Sequence, residues 1–248
     1  MGFLGISNKE RIKVGDRYFY IIKQGNKRIL KSGGRFSSSF GIIYSILDTK
    51  SIFTNSYPDM FLPLPRLYTR SKVLVIGLAG GTIPYQLTSM YGDAVSVDVV
   101  EIDKAMLQVP KLFLGNHKQK WNVYIEDGLD FVERSEKKYD IIALDAYNED
   151  IMPAEFVSDR FVKAAYSALT TSGILAINLT TNISPKHYSG LVKQHFNVYV
   201  YSNELGNSFI IGSKHFDLAA IKNTAKRLSS QNGAEYLSNV YNKIKEME

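Results

Sequence analysis

The stretch Val73-Leu-Val-Ile-Gly-Leu-Ala-Gly-Gly-Thr82 decides the fold of this chain. It begins with a continuous apolar run, which is typical of a buried strand in a parallel sheet covered on both faces. Gly77, Gly80 and Gly81 let the backbone turn tightly towards a helix and let a ligand approach the main chain. Because ligands of open α/β sheets bind beyond the carboxyl ends of the strands, this turn predicts a nucleotide-type site. A tight strand–helix turn that binds nothing is the alternative.

Four more apolar runs follow, and helix-like segments separate them. The runs are residues 95–100, 122–125, 139–144 and 173–178, and the helix-like segments cover about 82–91, 103–114, 128–136, 155–169 and 184–195. This alternation predicts a parallel sheet with helices on both faces. Residues 196–201 and 208–211 are too close together for a helical crossover, so they predict an antiparallel hairpin. The predicted fold class is therefore α/β, with a doubly wound, mostly parallel sheet of seven strands and a helical tail at 217–248.

The first 55 residues have a different pattern. Two stretches rich in β-branched and aromatic residues, 17–23 and 27–30, flank a Gly-Asn turn and predict a hairpin. Gly33–Ser39 reads as a loop. Three prolines between residues 58 and 65 mark a connection that fits neither a helix interior nor a central strand. We therefore expect a small N-terminal β domain at 1–55 and a Rossmann-like domain at 56–248.

Composition excludes several classes of protein. The 248 residues contain no Cys, so there is no disulfide framework, thiolate nucleophile or cysteine-ligated metal site. The net charge is +6, but the basic residues are scattered, which favours a solvated basic surface over nucleic-acid binding. No run of about 18 apolar residues predicts a membrane span. The first residues lack the pattern of a secretory signal, and we expect a cytoplasmic protein.

Acidic residues follow three of the predicted strands. Glu101 ends the second strand, where a carboxylate can accept hydrogen bonds from both ribose hydroxyls of a nucleoside. Asp103 reads as the N-cap of the next helix. Asp127, followed by Gly128, can accept a hydrogen bond from an adenine amino group or can simply cap its helix. Asp145 follows the fourth strand, where an acid can position or deprotonate a nucleophile; a loop acid paired with a nearby Lys is the alternative.

Two kinds of nucleotide site compete for this pattern. A dinucleotide fold needs G-x-G-x-x-G, and Gly77-Leu-Ala-Gly80 lacks the second glycine. Dinucleotide folds also have no general need for the terminal hairpin. Polar or acidic residues at successive strand ends, together with that hairpin, favour the class I S-adenosylmethionine-type transferase sheet.

At this point the chain resembles the spermidine synthase-like transferases over nearly its whole length. The stretches that carry the resemblance are residues 57–60, 73–82, 99–103, 126–131 and 139–146. The resemblance implies aminopropyl transfer from decarboxylated S-adenosylmethionine to a small-molecule amine, with release of methylthioadenosine and no metal. It also implies a homodimer or homotetramer.

The resemblance assigns roles to residues of this sequence. It implies that Gly77, Gly80, Gly81, Glu101, Asp127 and Gly128 bind the donor, and that Asp145 is the catalytic acid on the acceptor side. It implies substrate contacts for Tyr57, Asp59, Tyr147 and Asn148, although Tyr147 can equally be a packed loop aromatic. The four histidines lack the spacing of metal ligands, so no metal role is expected for His117, His187, His195 or His215.

Three departures from the family pattern concern the acids. The glycine loop has no Asp near Gly80, the second acid of the catalytic loop is replaced by Asn148, and Tyr-His-Glu is replaced by Tyr57-Pro-Asp59. Three hypotheses therefore stay open. They are an aminopropyltransferase with an altered acceptor site, a methyltransferase that uses intact S-adenosylmethionine, and a non-catalytic nucleoside-binding relative.

Overall fold

The computed structural model describes residues 8–32, 42–148, 151–180, 183–204, 207–232 and 234–247. The loop predicted at Gly33–Ser39 lies outside these residues. The N-terminal part is an antiparallel four-stranded sheet of β1 (Asn8–Val14), β2 (Arg17–Gln24), β3 (Lys27–Ser32) and β4 (Ile43–Asp48). The predicted hairpin is confirmed, because β2 and β3 pair from Gln24 and Lys27 around a two-residue turn. The domain boundary at residue 55 stays a prediction.

The second sheet contains eight strands in the order β12-β10-β11-β9-β8-β5-β6-β7. Its strands are β5 (Ser71–Ile76), β6 (Val95–Glu101), β7 (Asn122–Ile125), β8 (Tyr139–Leu144), β9 (Leu169–Leu179), β10 (Asn197–Ser202), β11 (Ser208–Ser213) and β12 (Lys245–Glu246). Strands β5 to β9 pair in parallel, whereas β11, β10 and β12 continue the sheet antiparallel. The doubly wound fold and the terminal hairpin are therefore confirmed. The expected seven strands gain an eighth, β12, whose two polar residues carry no strand pattern.

The described residues contain seven α-helices. They are α1 (Thr82–Tyr91), α2 (Val109–Leu114), α3 (Gly128–Arg134), α4 (Asp159–Ala168), α5 (Pro185–Lys193), α6 (Leu218–Asn232) and α7 (Glu235–Asn242). Apolar residues of α1, α6 and α7 pack in one core, and those of α3, α4 and α5 pack in the other. None of the described helices has the length and apolar character needed to cross a bilayer.

Two predicted helices are shorter than expected, for local reasons. The segment at 103–114 is a one-turn 3₁₀ helix (Lys104–Gln108) followed by α2, and Pro110 in the first turn of α2 has no N–H to continue an earlier helix. The segment at 155–169 is a 3₁₀ turn (Ala154–Val157) before α4, because the Ser158 side chain caps α4 by accepting from the amide of Phe161.

The strand order reverses at β5, which lies between β6 and β8. A crevice forms at the carboxyl ends of strands where an α/β sheet changes direction, and ligands bind there. The antiparallel sheet lies beside this edge, since Phe19 and Leu30 of its apolar face pack with Val109 and Phe113 of α2. The fold thus brings the N-terminal sheet next to the glycine turn.

Candidate functional site

A cavity of about 680 Å³ lies at the carboxyl ends of β5, β6, β7 and β8. Four segments that follow these strands line it, and the N-terminal sheet supplies Arg17 and Tyr44. The four segments are residues 76–79, 100–103, 126–128 and 145–148. A volume of this size is typical of a small-molecule site. The structure therefore brings the strand-end residues that the sequence singled out to the wall of one cavity.

The wall of this cavity is acidic although the whole chain is basic. Six of its described residues are acids, namely Glu101, Asp103, Glu126, Asp127, Asp145 and Glu155. Its described basic residue is Arg17, whose guanidinium pairs with Asp103. A concave site with one sign of charge concentrates ligands of the opposite charge. The cavity is therefore suited to a cationic ligand.

Gly77 brings the turns after β5 and β8 into contact. Its φ of +99° lies in the range that only glycine adopts readily. A Cβ on Gly77 would lie 2.4 Å from the backbone oxygen of Asp145. The amide of Gly77 donates to Val100 at 2.9 Å, and the amide of Asp145 donates to Ile76 at 3.0 Å. The glycine thus sets the position of Asp145 at the cavity.

Gly80 and Gly81 have packing roles that the sequence did not predict. Neither is among the residues that line the cavity. The Gly80 amide donates to Ser45 Oγ at 2.9 Å, and a Cβ on Gly80 would lie 2.7 Å from both Ser45 and Phe113. A Cβ on Gly81 would lie 3.2 Å from Pro110. These two glycines let the loop pack against β4 and α2, so their positions do not support the predicted ligand contact.

Glu101 lies where the sequence predicted it, at the end of β6 and on the cavity wall. One carboxylate oxygen accepts from the Leu78 amide at 3.1 Å, and the other accepts from the Asp103 amide at 2.9 Å. Burial raises the pKa of Glu101, and the two backbone N–H groups partly oppose this shift. Asp103 is the predicted N-cap, since its side chain accepts from the Ala105 amide at 2.8 Å.

Asp127 caps α3 and also borders the cavity. Its Oδ1 atom accepts from the amides of Leu129 at 2.9 Å and Asp130 at 3.0 Å. Both cap bonds therefore end on one oxygen. Gly128 lines the cavity too, and a Cβ there would lie 2.7 Å from Ile76 and 3.0 Å from the Phe156 ring. The missing side chain of Gly128 lets α3 begin close to β5.

Asp145 is half-buried at the end of β8, among polar partners. The Asn178 side-chain amide donates to its Oδ1 at 2.9 Å, and the Tyr57 hydroxyl, which donates to the Tyr44 carbonyl at 3.5 Å, lies near enough to add a second polar interaction. Burial raises the pKa of Asp145 to about 7, although both interactions favour the charged form. Burial and the neighbouring Asp145 also raise the pKa of Tyr57. None of the ion pairs found in the described residues includes Asp145, so the Lys-paired alternative is not seen.

Asn178 is a site residue that the sequence reasoning missed. It is a polar residue near the end of the apolar run at 174–179 in β9, and this break in pattern was the available signal. Tyr147 also reaches β9, where its hydroxyl donates to the Asn178 carbonyl at 2.5 Å and accepts from the Thr180 amide at 3.2 Å. Tyr147 is thus both a packed aromatic and part of the cavity wall. Asn148 lines the cavity and exchanges backbone hydrogen bonds with Ile151.

Asp59 does not lie on the cavity wall, where its expected contact with the substrate would require it to be. It is fully buried. Its carboxylate accepts hydrogen bonds from Thr54, Asn55, Gln86 and Tyr236. A carboxylate with this many internal donors ties parts of the fold together, so its surroundings do not support a substrate contact.

Comparison with known proteins gives the family. The model of the spermine/spermidine synthase domain matches residues 56–200. The polyamine aminopropyltransferase of Vibrio vulnificus is 28% identical over 160 residues, which are 61% of this chain and 52% of that protein. The eEF1A lysine and N-terminal methyltransferase of Bos taurus is 32% identical over 134 residues, which are 49% of this chain and 18% of that protein. The chain thus spans about half of the first relative and a smaller share of the second.

A solved structure has the same fold. The probable spermidine synthase of Corynebacterium glutamicum superposes with a TM-score of 0.71 at 14% identity, covering 87% of this chain and 86% of that chain. The region that matches the family model runs from Ser56 to Val200 and contains Tyr57, Glu101, Asp127, Asp145 and Asn178. Because the match covers more than half of the chain and includes the segments at the strand ends, this chain belongs to the spermine/spermidine synthase family.

Proposed function

We propose that this chain is a transferase that moves the aminopropyl group of decarboxylated S-adenosylmethionine to a small-molecule amine. The observation that carries the proposal is Asp145, a carboxylate of raised pKa held by Asn178 and Tyr57 inside an acid-lined cavity. Amine alkylation needs a base at the acceptor and negative charge around a cationic donor. The family membership and the V. vulnificus relative support the same reaction class.

The donor's nucleoside is held by the ends of β6 and β7. Glu101 takes the ribose hydroxyls, because each of its oxygens accepts one backbone N–H and keeps a further lone pair for a hydroxyl. Asp127 takes the adenine amino group, and both of its cap bonds end on Oδ1, which leaves Oδ2 for the base. Gly77 and Gly128 let the main chain border the nucleoside.

The glycine loop favours a donor without a carboxylate. Four backbone amides of the loop already donate to acceptors inside the fold. Gly77 donates to Val100 and Leu78 donates to Glu101. Gly80 donates to Ser45 and Gly81 donates to Leu78. Arg17 is paired with Asp103. Two of the six acids, Asp103 and Glu126, are paired with arginines, so an α-carboxylate of intact S-adenosylmethionine would meet the other four without these groups to balance it, and an unbalanced charge of this kind costs affinity. The decarboxylated donor carries only positive charge.

Asp145 acts on the acceptor amine. The amine nitrogen attacks the carbon next to the sulfonium, the new N–C bond forms as the C–S bond breaks, and sulfur keeps the electron pair as a neutral thioether. The proton that the nitrogen gives up passes to Asp145, which works best as a base near its own pKa of about 7. Tyr57 and Asn178 hold the carboxylate in place, while Tyr147 and Asn148 border the acceptor.

Methyl transfer from intact S-adenosylmethionine is the second candidate. One observation favours it: the family's loop acid is missing, and Gly80 has no room for a side chain beside Ser45 and Phe113. Similarity to the bovine eEF1A methyltransferase agrees with it. The two candidates share the nucleoside site and differ in what they require around the donor's side arm.

A donor titration separates the two candidates. We expect calorimetry to show that the decarboxylated donor binds at least about 10-fold more tightly than the intact one, since a tenfold ratio needs about 1.4 kcal/mol. With putrescine, agmatine or spermidine present, the protein should then release methylthioadenosine. The reverse preference, with methyl transfer, would overturn aminopropyl transfer. Donor binding without any turnover would instead indicate the non-catalytic relative.

Replacing Glu101 by Gln tests the nucleoside site by itself. We expect binding of methylthioadenosine to weaken roughly 10- to 100-fold, because a lost charged hydrogen bond costs about 1.5–3 kcal/mol. Calorimetry with methylthioadenosine measures the effect without turnover. Glu133→Gln is the matched control, since Glu133 bonds to Arg160 outside the cavity and should leave binding unchanged. Binding of Glu101→Gln within twofold of the wild type would contradict the ribose contact.

Several expectations stay predictions. They are a homodimer or homotetramer, a cytoplasmic location, a reaction without metal and the absence of nucleic-acid binding. The acceptor's identity is open to the same turnover assay, run with amines of increasing charge.

A further inference from the structure

We propose that the C-terminal helix α7 holds the turn that carries Tyr57 in place beside Asp145. Tyr236 and Asp59 are the positioning residues that fix this turn. The proposal rests on the proposed function, because its kinetic test needs turnover. It gives a role to the helical tail, for which the sequence suggested none.

Tyr57 begins a 3₁₀ helix of a single turn, Tyr57–Phe61. Such a turn has few hydrogen bonds of its own, and Pro58 at its second position has no N–H. Two backbone bonds of 3.1 Å, from Asp59 to Ser56 and from Leu62 to Asp59, close it. Short helical turns are marginal by themselves, so outside contacts must set the direction in which Tyr57 projects.

Asp59 supplies most of those contacts. Its carboxylate accepts from the Thr54 amide at 2.9 Å, the Asn55 amide at 2.8 Å and the Gln86 side chain at 2.5 Å. The Tyr236 hydroxyl of α7 donates to Oδ2, the oxygen that also accepts from the Thr54 and Asn55 amides. The linker before the turn, helix α1 and helix α7 therefore meet at one buried carboxylate. None of the ion pairs in the described part of the chain includes Asp59, so these neutral donors are what compensates its burial.

Two more tyrosines hold the same segment from the same helices. The Tyr241 hydroxyl of α7 donates to the Met60 carbonyl at 2.5 Å, and the Tyr91 hydroxyl of α1 donates to the Leu62 carbonyl. Tyr241 is fully buried in the core that α6 and α7 form on the sheet. Helix α7 thus makes hydrogen bonds both to the side chain of Asp59, two residues after Tyr57, and to the backbone of Met60, three residues after Tyr57.

These contacts lead from α7 through Asp59 and Tyr57 to Asp145. Tyr57 and Asp145 line the same cavity, the Tyr57 hydroxyl donates to the Tyr44 carbonyl at 3.5 Å, and this hydroxyl lies near enough to the Asp145 carboxyl to favour its charged form and so lower its pKa. A turn held less firmly would let Tyr57 leave this position while Glu101, Asp127 and the glycine loop stay where they are. Loss of the α7 contact should therefore impair turnover without changing how the nucleoside binds.

The test is Tyr236→Phe, which removes one hydroxyl from α7. We expect kcat to fall about 5- to 10-fold while the dissociation constant of methylthioadenosine stays within twofold of the wild type. The midpoint of the acidic limb of kcat/KM should move to higher pH, because the Tyr57 hydroxyl favours the charged form of Asp145. Asp59→Asn should act in the same direction, and the double variant should be no worse than Asp59→Asn alone, since both remove the same contact.

Tyr199→Phe is the matched control. Tyr199 is buried and Tyr236 is half-buried, and the Tyr199 hydroxyl donates to the Phe216 carbonyl at 3.1 Å away from the Tyr57 turn. It should lower thermal stability as Tyr236→Phe does but leave kcat and the pH midpoint unchanged. Wild-type kinetics in Tyr236→Phe, or equal kinetic losses in Tyr199→Phe, would overturn the inference. Carboxyl NMR titration of Asp145 in Tyr236→Phe reads the same contact without turnover, so an inactive wild type would count against the proposed function and not against the positioning.

Discussion

Asp145→Asn should lower turnover by about 10²- to 10⁴-fold, the usual contribution of a general base. Asn keeps the size of the side chain and its bond to Asn178 can be re-formed by a flipped amide, but it cannot take the proton that the acceptor nitrogen releases. The donor should still bind, because Glu101 and Asp127 stay in place at the other end of the cavity. Methylthioadenosine release with saturating donor and amine measures the loss.

The pH profile gives the same prediction a second readout. The Asp145 pKa of about 7 lies above the ordinary value of an aspartate, so the carboxylate is protonated and inactive below it. The wild-type kcat/KM should therefore rise with pH through a midpoint near 7, and Asp145→Asn should lack this limb. Two amines of different basicity, assayed in parallel, separate the enzyme's limb from titration of the acceptor.

Asp98→Asn is the control for general damage. Asp98 is another buried carboxylate, and it bonds to Asn122, Lys137 and Tyr139 away from the cavity. Its loss should destabilise the protein yet keep the acidic limb at the wild-type midpoint. If Asp145→Asn retained both the rate and the limb, Asp145 would not be the base and aminopropyl transfer would lose its main support.

The order and type of the elements were open to prediction because the sheet is buried on both faces. Short apolar runs that end at a glycine, such as residues 73–76, are typical of central strands, and the hairpin at β10 and β11 follows from their short separation. The two-residue strand β12 and the 3₁₀ turns were not open to prediction. Strand β12 depends on a tertiary contact, since the Met247 amide donates to Val198, whereas the 3₁₀ turns before α2 and α4 depend on single residues, Pro110 and Ser158, at which a new helix starts.

The site residues were predictable only where an acidic side chain directly follows a predicted strand. Glu101, Asp127 and Asp145 follow strands, so parallel topology alone brings them to one edge. Asn178 was missed because a single amide near the end of an apolar strand looks like a chance substitution. The resemblance assigned Asp59 to the substrate by its place in a motif, whereas its buried carboxylate accepts from Tyr236, 177 residues further along the chain, a contact that no local pattern shows. Sequence proximity to Tyr57 therefore did not mean proximity to the cavity.

The acidic cavity changes how the net charge of +6 should be interpreted. Several basic side chains are paired away from the cavity wall, for example Arg160 with Glu133 and Lys163 with Asp159. Inside the cavity the balance is reversed, and the single described cation, Arg17, is already paired. The local charge that a ligand meets is thus opposite in sign to the charge of the whole chain. This is why the overall basicity does not argue against a cationic substrate.

Gly77→Ala should be the most damaging single-methyl change in the described glycine loop. Holding alanine at a φ of +99° costs on the order of 1–3 kcal/mol. The new Cβ would also lie 2.4 Å from the Asp145 carbonyl oxygen, and overpacking of this kind costs about 1–3 kcal/mol more. Relief of the clash must push apart the turns after β5 and β8, which carry the donor loop and Asp145. We therefore expect a loss of stability of about 2–6 kcal/mol together with weaker donor binding.

Gly92→Ala separates the effect of backbone strain from the effect of the clash between the new Cβ and Asp145. Gly92 also has a positive φ, of +53°, at the end of α1, but a Cβ there would meet nothing within 4 Å. It should show only the backbone strain, on the order of 1–3 kcal/mol, and should keep the wild-type dissociation constant for methylthioadenosine. Urea unfolding of both variants with the same m-value gives the two losses, and calorimetry gives the binding. Because the variants share the strain and differ in the contact with Asp145, an equal loss in both would mean that the close approach of Gly77 to Asp145 does not constrain the site.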